Sequence, residues 1–252
     1  MKQPLTAIPA LKDNYIWQLF GTAGYLLVDP GDHKVLEHLA DQPNGPQAIL
    51  VTHCHRDHID GIADILCQWP ETPVYGPKAL ADLFATHQGV GDGDTLQIPG
   101  FAPIDVLAVP GHTLDHLAFV VRGQPLLLFC GDTLFSAGCG RLFEGTPTQM
   151  WQSLQRFAAL PVDTIVCPTH EYTISNLRFA QLVEPTNQSV VDYLHWCQQQ
   201  RAQNLPTLPT SIGQELKVNP FLRCNLPALQ LQWQQADALA LFIMLRQWKN
   251  QM

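Results

Sequence analysis

The sequence predicts an α/β domain over residues 1–170 and a mainly helical part over residues 171–252. Three observations predict it. Short apolar runs recur over the first two thirds, each closed by turn residues. Segments with apolar residues at helical spacing alternate with those runs, as in βαβ units. After residue 170 the periodicity becomes helical, broken by one proline-rich stretch. With 252 residues, 46% apolar and 14% charged, the chain has the material for a substantial core in one large domain, or in a medium and a small one.

The elements follow in order. "YLLVDPGD" (25–32) reads as a buried strand ending in a turn, and "KVLEHLADQ" (34–42) as a helix with Val35, Leu36 and Leu39 on one side. "PQAILVTH" (46–53) is an apolar strand. "IADILCQW" (62–69) resumes a helical pattern through Ile62, Ile65 and Leu66. "APIDVLAVPGHT" (102–113) alternates Ile104, Val106 and Ala108 before breaking at Pro110-Gly111. "PLLLFCGDT" (125–133) is a continuous apolar run, as in a strand covered on both faces. "TPTQMWQSLQRFAAL" (146–160) has a helix start, with Thr146 as N-cap and Pro147 at the first helical position. "TIVCPTH" (164–170) is the last expected strand. "EYTISNLRFAQLV", "VVDYLHWCQQQRAQ" and "ADALALFIMLRQWKNQ" read as helices, and Leu205 to Leu231 as irregular.

Composition narrows the function. A formal charge of −8 gives no general attraction for nucleic acid or anionic membrane, and no stretch approaches membrane-spanning length. The seven cysteines are widely spaced with no CxxC pair, which fits free thiols in a reducing compartment. "MKQPLTAIPALKDNY" lacks the apolar centre of a signal peptide, so a cytoplasmic protein is expected.

The polar residues that carry chemistry each follow a predicted strand. His53, His55, Asp57 and His58 follow "AILV", His112 follows "VLAV", Asp132 follows "LLLFCG", and His170 follows "IVCPT". Loops beyond strand ends form the ligand crevice of α/β folds. Imidazole and carboxylate are donors for zinc, iron and manganese. His53 and His55 alternate on one tight loop and can face one ion, while Asp57 and His58 can face a second. Seven such donors exceed one tetrahedral zinc and suit two ions about 3.5–4 Å apart, sharing a carboxylate and a water. A closed structural zinc competes, but such sites are usually four-coordinate and cysteine-rich. Cys54, between His53 and His55, is expected to point away from the ion. His33, His38, His87 and His195 are expected to be ordinary loop or surface residues. No GxSxG is present, which argues against a serine-hydrolase route.

These residues carry a resemblance. "THCHRDH" (52–58), with His112, Asp132 and His170, resembles the metallo-β-lactamase superfamily. "DNYIW" (13–17), "VDPGD" (28–32), "PGHT" (110–113), "GDTLFSAGCGRLFEGT" (131–146), "HEYTISNLRFA" (170–180) and "NPFLR" (219–223) are similar to the glyoxalase II family, the hydroxyacylglutathione hydrolases. The resemblance implies a four-layer αββα sandwich followed by a helical, glutathione-binding domain. It implies action on a small molecule, S-D-lactoylglutathione, which is hydrolysed to glutathione and D-lactate in methylglyoxal detoxification; a monomer is expected. By the same resemblance His53, His55 and His112 hold one divalent ion, Asp57, His58 and His170 hold another, and Asp132 bridges them, with zinc expected and iron or manganese as alternatives. A hydroxide generated between the ions and oriented by Asp57 or Asp132 would attack the thioester. Arg141, Tyr172, Arg246 and Lys249 would contact glutathione. The family often has His at Cys54, a smaller residue at Asp115 and an aromatic hydroxyl at Phe143. Another superfamily enzyme (a persulfide dioxygenase, a β-lactam hydrolase or a different thioesterase) and a non-catalytic metal- or glutathione-binding module are the alternatives.

Overall fold

The computed structural model describes residues 5–42 and 44–252; the first four residues, which open the N-terminal segment read above, and residue 43 lie outside the described residues. The chain forms two compact units. One comprises the residues up to Ala108 together with Asp115–Gly131, the other Val109–Leu114 together with Asp132–Met252.

The first unit begins with a hairpin that the sequence reading did not separate out. Strands β1 (Leu5–Ala10) and β2 (Asn14–Phe20) pair antiparallel, and β2 pairs with β3 (Tyr25–Val28). From β3 onward the sheet is parallel through β4 (Ala48–Leu50), β5 (Val74–Gly76) and β6 (His87–Gly89). Parallel neighbours need a crossover. Helix α1 (Val35–Leu39) supplies the first, and α2 (Arg56–Ile59) with α3 (Ile62–Gln68) the second. Val35, Leu39, Ile62 and Ile65 are buried and join Leu27, Ile49, Val51 and Val74 in one apolar cluster. The helical spacing of those four residues thus builds a face that covers the sheet.

A second set of strands in this unit is antiparallel, in the order β7 (Thr95–Leu96), β8 (Ile104–Ala108), β9 (Leu117–Val121) and β10 (Leu127–Gly131). Strand β10 is buried along its whole length, as its unbroken apolar run requires. In β8 Ile104 and Val106 are buried as the alternation predicts, but Ala108, the third residue of that pattern, is only half-buried at the strand's end.

The second unit is mostly helical. It holds a two-stranded ribbon, β11 (Leu134–Phe135) with β12 (Gly138–Cys139), then α4 (Pro147–Ala158) and β13 (Ile165–Pro168). Helices α5 (Thr173–Val183) and α6 (Gln188–Ala202) follow. The stretch expected to be irregular instead contains β14 (Thr210–Ser211), α7 (Ile212–Val218) and α8 (Pro227–Gln232), before α9 (Ala238–Asn250). The reason α7 escapes a periodicity reading is chemical. Its inward face is Ile212, Glu215 and Val218, so a carboxylate stands where the pattern calls for an apolar residue. Its start is nonetheless marked, because the Ser211 side chain accepts from the Gln214 amide. Among the described residues no helix is long and apolar enough to cross a membrane.

Helix α4 begins as its sequence demands. Thr146 Oγ1 accepts from the Gln149 amide, and Gln149 Oε1 accepts in return from the Thr146 amide. Buried Met150, Leu154 and Phe157 give the helix its inward face. Thr146→Ala should lower unfolding stability by about 1 kcal/mol, read as a shifted urea midpoint with an unchanged slope.

Candidate functional site

Each unit carries its own set of metal-type donors. In the first, β4 runs into Val51, and a bend at Thr52 leads to His53 and on to His55, the N-cap of α2. His53 and His55 lie two apart in this short segment, with ring centroids 4.6 Å apart. Their Nε2 and Nδ1 atoms are 3.0 Å apart. Asp57 and His58 fall on the first turn of α2, with Asp57 Oδ2 3.6 Å from His58 Nε2. Donors about 2.0–2.2 Å from a tetrahedral ion lie about 3.3–3.6 Å from each other. The Asp57–His58 spacing falls in that range and the His53–His55 spacing just below it, and imidazole and carboxylate are donors that suit a divalent ion.

The imidazoles are aimed by their other nitrogens. His58 is fully buried, and its Nδ1 lies 2.9 Å from Asp29 Oδ2. Asp29 also accepts from the Thr52 amide and from Thr52 Oγ1, each at 2.8 Å. Thr52 Oγ1 is in turn 3.0 Å from His53 Nδ1. One buried carboxylate thus orients His58 directly and His53 through a hydroxyl, in each case at the Nδ1 side of the ring. Asn14 Nδ2 donates to Asp57 Oδ2 at 3.1 Å. His116, also fully buried, stacks on His53 with ring centroids 4.6 Å apart. Gly131 has φ +47°, and a side chain there would strike Thr52 and His116.

Asp29, Thr52, Asn14 and His116 were not singled out from the sequence. "VDPGD" and "DNYIW" contained two of them, and His116 stands four residues after His112, but nothing local shows that they face the histidine loop. Cys54 lies between the two histidines. It packs against the apolar cluster under the parallel sheet, and its Sγ donates to Asp115 Oδ2 at 3.7 Å. His33, His38 and His195 are exposed, and His87 is half-buried on β6.

In the second unit Asp132 stands between two histidines. Its Oδ2 is 3.5 Å from His112 Nε2 and its Oδ1 is 3.4 Å from His170 Nε2. Each carboxylate oxygen thus faces a different imidazole. His112 Nδ1 lies 2.8 Å from the Arg141 carbonyl, so its Nε2 is the nitrogen left for coordination. Gly140 leaves room here, since a side chain would collide with the Asp132 carbonyl. Tyr172 stacks on His170 at 4.7 Å with its ring nearly parallel.

A cleft of about 440 Å³ opens from this group. His112 and Asp132 line it together with Phe135, Phe143, Tyr172, Arg141, Arg246 and Lys249. A cleft of about 470 Å³ lined by Asn44–Gln47 and Gln68–Pro73 is slightly larger, but Glu71 is its only ionisable residue, so the chemistry points to the first. Arg246 and Lys249 play different parts. Arg246 is only 4% exposed; its Nη1 donates to the Cys139 carbonyl at 2.8 Å, and its guanidinium sits 5.2 Å from the Phe221 ring centre. Lys249 is half-buried, with Nζ 3.3 Å from the Ser175 carbonyl. Desolvation, then the charges of Arg246 and Arg141, holds the Lys249 ammonium below the usual lysine range.

The metallo-β-lactamase superfamily model matches residues 14–170, and the model described as hydroxyacylglutathione hydrolase C-terminus matches residues 171–252. A "Hydroxyacylglutathione hydrolase" of Yersinia pestis (strain Pestoides F) is 51% identical over 223 residues, covering 88% of this chain and 87% of that protein. The chain belongs to the hydroxyacylglutathione hydrolases of the metallo-β-lactamase superfamily. Solved structures agree on the fold of this family member. ETHE1 from Myxococcus xanthus matches with a TM-score of 0.67 at 23% identity, over 98% of this chain and 90% of that one. TTHA1623, solved in a di-iron-bound form, matches with a TM-score of 0.59 at 25% identity, over 86% and 99%. The fold is that of a metal-dependent hydrolase, and the histidine and aspartate clusters suit a divalent metal site.

The buried carboxylate suggests a measurement. Asp29→Ala is expected to weaken metal retention about tenfold to a hundredfold without unfolding the chain. Cys54→Ala is expected to leave metal content at the wild-type level. Elemental analysis after dialysis against a weak chelator, with circular dichroism for folding, checks both.

Proposed function

We propose that this chain hydrolyses S-D-lactoylglutathione to glutathione and D-lactate. The observation that carries the reading is the composition of one cleft in the second unit. Two metal-type donors, His112 and Asp132, and three cations, Arg141, Arg246 and Lys249, line it together. Glutathione brings two carboxylates and one amine, so it needs local cations on a chain whose formal charge is −8.

We assign His53, His55 and His112 to one divalent ion, and Asp57, His58 and His170 to a second, with Asp132 shared. The two oxygens of Asp132 facing different imidazoles support the sharing, and the di-iron form of TTHA1623 supports a count of two. Zinc is the proposed metal, with iron or manganese as substitutes for the same donors. When bound, such ions polarise a carbonyl oxygen and bring the pKa of water from about 16 towards about 7.

The chain's own groups do the rest. Arg141 and Lys249 bind the glutathione carboxylates, and Tyr172 borders the path between them and His170. Arg246 contributes through the backbone carbonyl it holds as well as through its charge. The carboxylates of Asp57 and Asp132 orient the attacking water, and Asn14 steadies Asp57 by donating to its Oδ2. Water adds to the thioester carbonyl carbon and gives up its protons to solvent, the C–S bond breaks, and the products are the D-lactate carboxylate and the glutathione thiolate, which leaves with little need of an acid. Residues 1–170 carry the hydrolytic donors in this reading, and residues 171–252 add much of the glutathione contact. All of them lie on one chain, so no second copy is required. The cysteines are all free thiols, which supports a cytoplasmic setting.

Purified protein assayed with S-D-lactoylglutathione tests the reading directly, with release of free thiol followed against metal content. Asp132→Ala should lose hydrolysis together with bound metal. Full turnover with two metals retained in that variant would refute the shared carboxylate. Lys249→Ala should raise KM about tenfold, the worth of one charge-assisted hydrogen bond, with kcat and metal content little changed. An unaltered KM would place glutathione elsewhere.

A further inference from the structure

Helix α7 buries the carboxylate of Glu215 completely. Among the described residues, all four donors that reach it are neutral. Its Oε1 accepts from Ser136 Oγ at 3.0 Å and Thr210 Oγ1 at 2.9 Å. Its Oε2 accepts from the Ala137 amide at 2.7 Å and Asn219 Nδ2 at 3.0 Å. Burial raises the carboxyl pKa, and the donors pull in the other direction. Desolvating a carboxylate without a cation is costly, so this arrangement asks what the four acceptor positions are for.

They converge on the turn between β11 and β12. Asn219 Nδ2 also donates to the carbonyls of Phe135 at 3.2 Å and Gly138 at 3.0 Å, and Asn176 Nδ2 donates to the Ser136 carbonyl at 3.0 Å. Every residue from Phe135 to Gly138 is therefore tied. At the centre Ala137 has φ +56°, a left-handed conformation that a residue with a Cβ adopts only against resistance. Glycine would relieve it, but the Ala137 methyl is buried with Leu177, Val190 and Val218. The Glu215 carboxylate holds the amide of that strained residue, and the helices hold its methyl.

The turn matters because of what flanks it. Phe135 and Cys139 are in the cleft wall. The Phe135 ring stands edge-on to His170, with centroids 5.6 Å apart, and to Tyr172 at 5.2 Å. We propose that Glu215 is a positioning residue for hydrolysis: as an acceptor of four hydrogen bonds it locks the 135–138 turn and so sets Phe135 against His170 and Tyr172. The proposal rests on the hydrolytic reading above. It assigns the work to acceptor geometry and not to charge. A glutamine can keep that geometry, with its oxygen accepting from Ala137 and Asn219 and its amide donating to the hydroxyls of Ser136 and Thr210. A methionine has similar length and no comparable acceptor.

The test compares metal-loaded wild type, Glu215→Gln and Glu215→Met. Three readouts are taken: steady-state kinetics on S-D-lactoylglutathione, metal content, and hydrogen exchange of the 134–141 segment. Glu215→Met is expected to exchange faster in that segment and to raise KM about tenfold, with kcat and metal content less affected. Glu215→Gln is expected to stay close to wild type in all three. A folded Glu215→Met with faster exchange but wild-type KM and kcat would reduce the clamp to a structural part and overturn the proposal. Glutamine as damaging as methionine would overturn the acceptor argument. If Glu215→Met does not fold, Asn219→Ser removes the ties to Phe135 and Gly138 and must give the same rise in KM; an unchanged KM there overturns the proposal too. A wild-type protein that fails to hydrolyse the thioester defeats the functional reading separately, since exchange still reports whether Glu215 holds the turn.

Discussion

A buried imidazole is useful to a metal only if its second nitrogen is already engaged, and much of this chain serves that requirement. Asp29 is the centre of it in the first unit. It lies just beyond β3, takes both Thr52 donors and meets His58 Nδ1. Burying a carboxylate there without those partners would cost several kcal/mol. With them, the cost is offset and two histidines acquire fixed tautomers and directions. The φ of +52° at Asp29 and of +47° at Gly131 shows that the backbone bends into uncommon conformations to complete the arrangement.

The second unit solves the same problem with backbone as well as side chains. The Arg141 carbonyl engages His112 Nδ1, and stacked Tyr172 lies against His170. The first of those supports stands on the segment from Asp132 to Arg141, which is tied down by the tail helices. Arg246 holds the Cys139 carbonyl, and Asn176, Glu215 and Asn219 hold the turn before it. The tail thus supplies cations for a charged ligand and also the scaffold that keeps the cleft wall in place. Arg246 shows both uses at once. It lines the cleft, yet its fixed contacts are carbonyl oxygens and the face of Phe221. Lys249, nearer to solvent, has the freer charge.

The alternation of strands and helices, the start of α4 and the clustering of donors after strands can all be read along the chain. These are legible because they depend on neighbours in the chain. Apolar spacing marks a face, Thr146 and Gln149 form a cap within one turn, and two histidines separated by one residue stay within reach of each other. The donor residues could be named for the same reason, since few structural needs put three histidines and an aspartate in one short loop. Only the tertiary structure decided which residues support them. Asp29 and Thr52 are 23 positions apart, and Ser136 and Glu215 are 79 apart. No local pattern encodes such pairs, because each partner taken alone is an ordinary polar residue. Glu215 is the sharpest instance: in the sequence it interrupts the apolar face of α7 and makes a helix look irregular, and in the fold that interruption is a buried acceptor whose donors come from a distant turn.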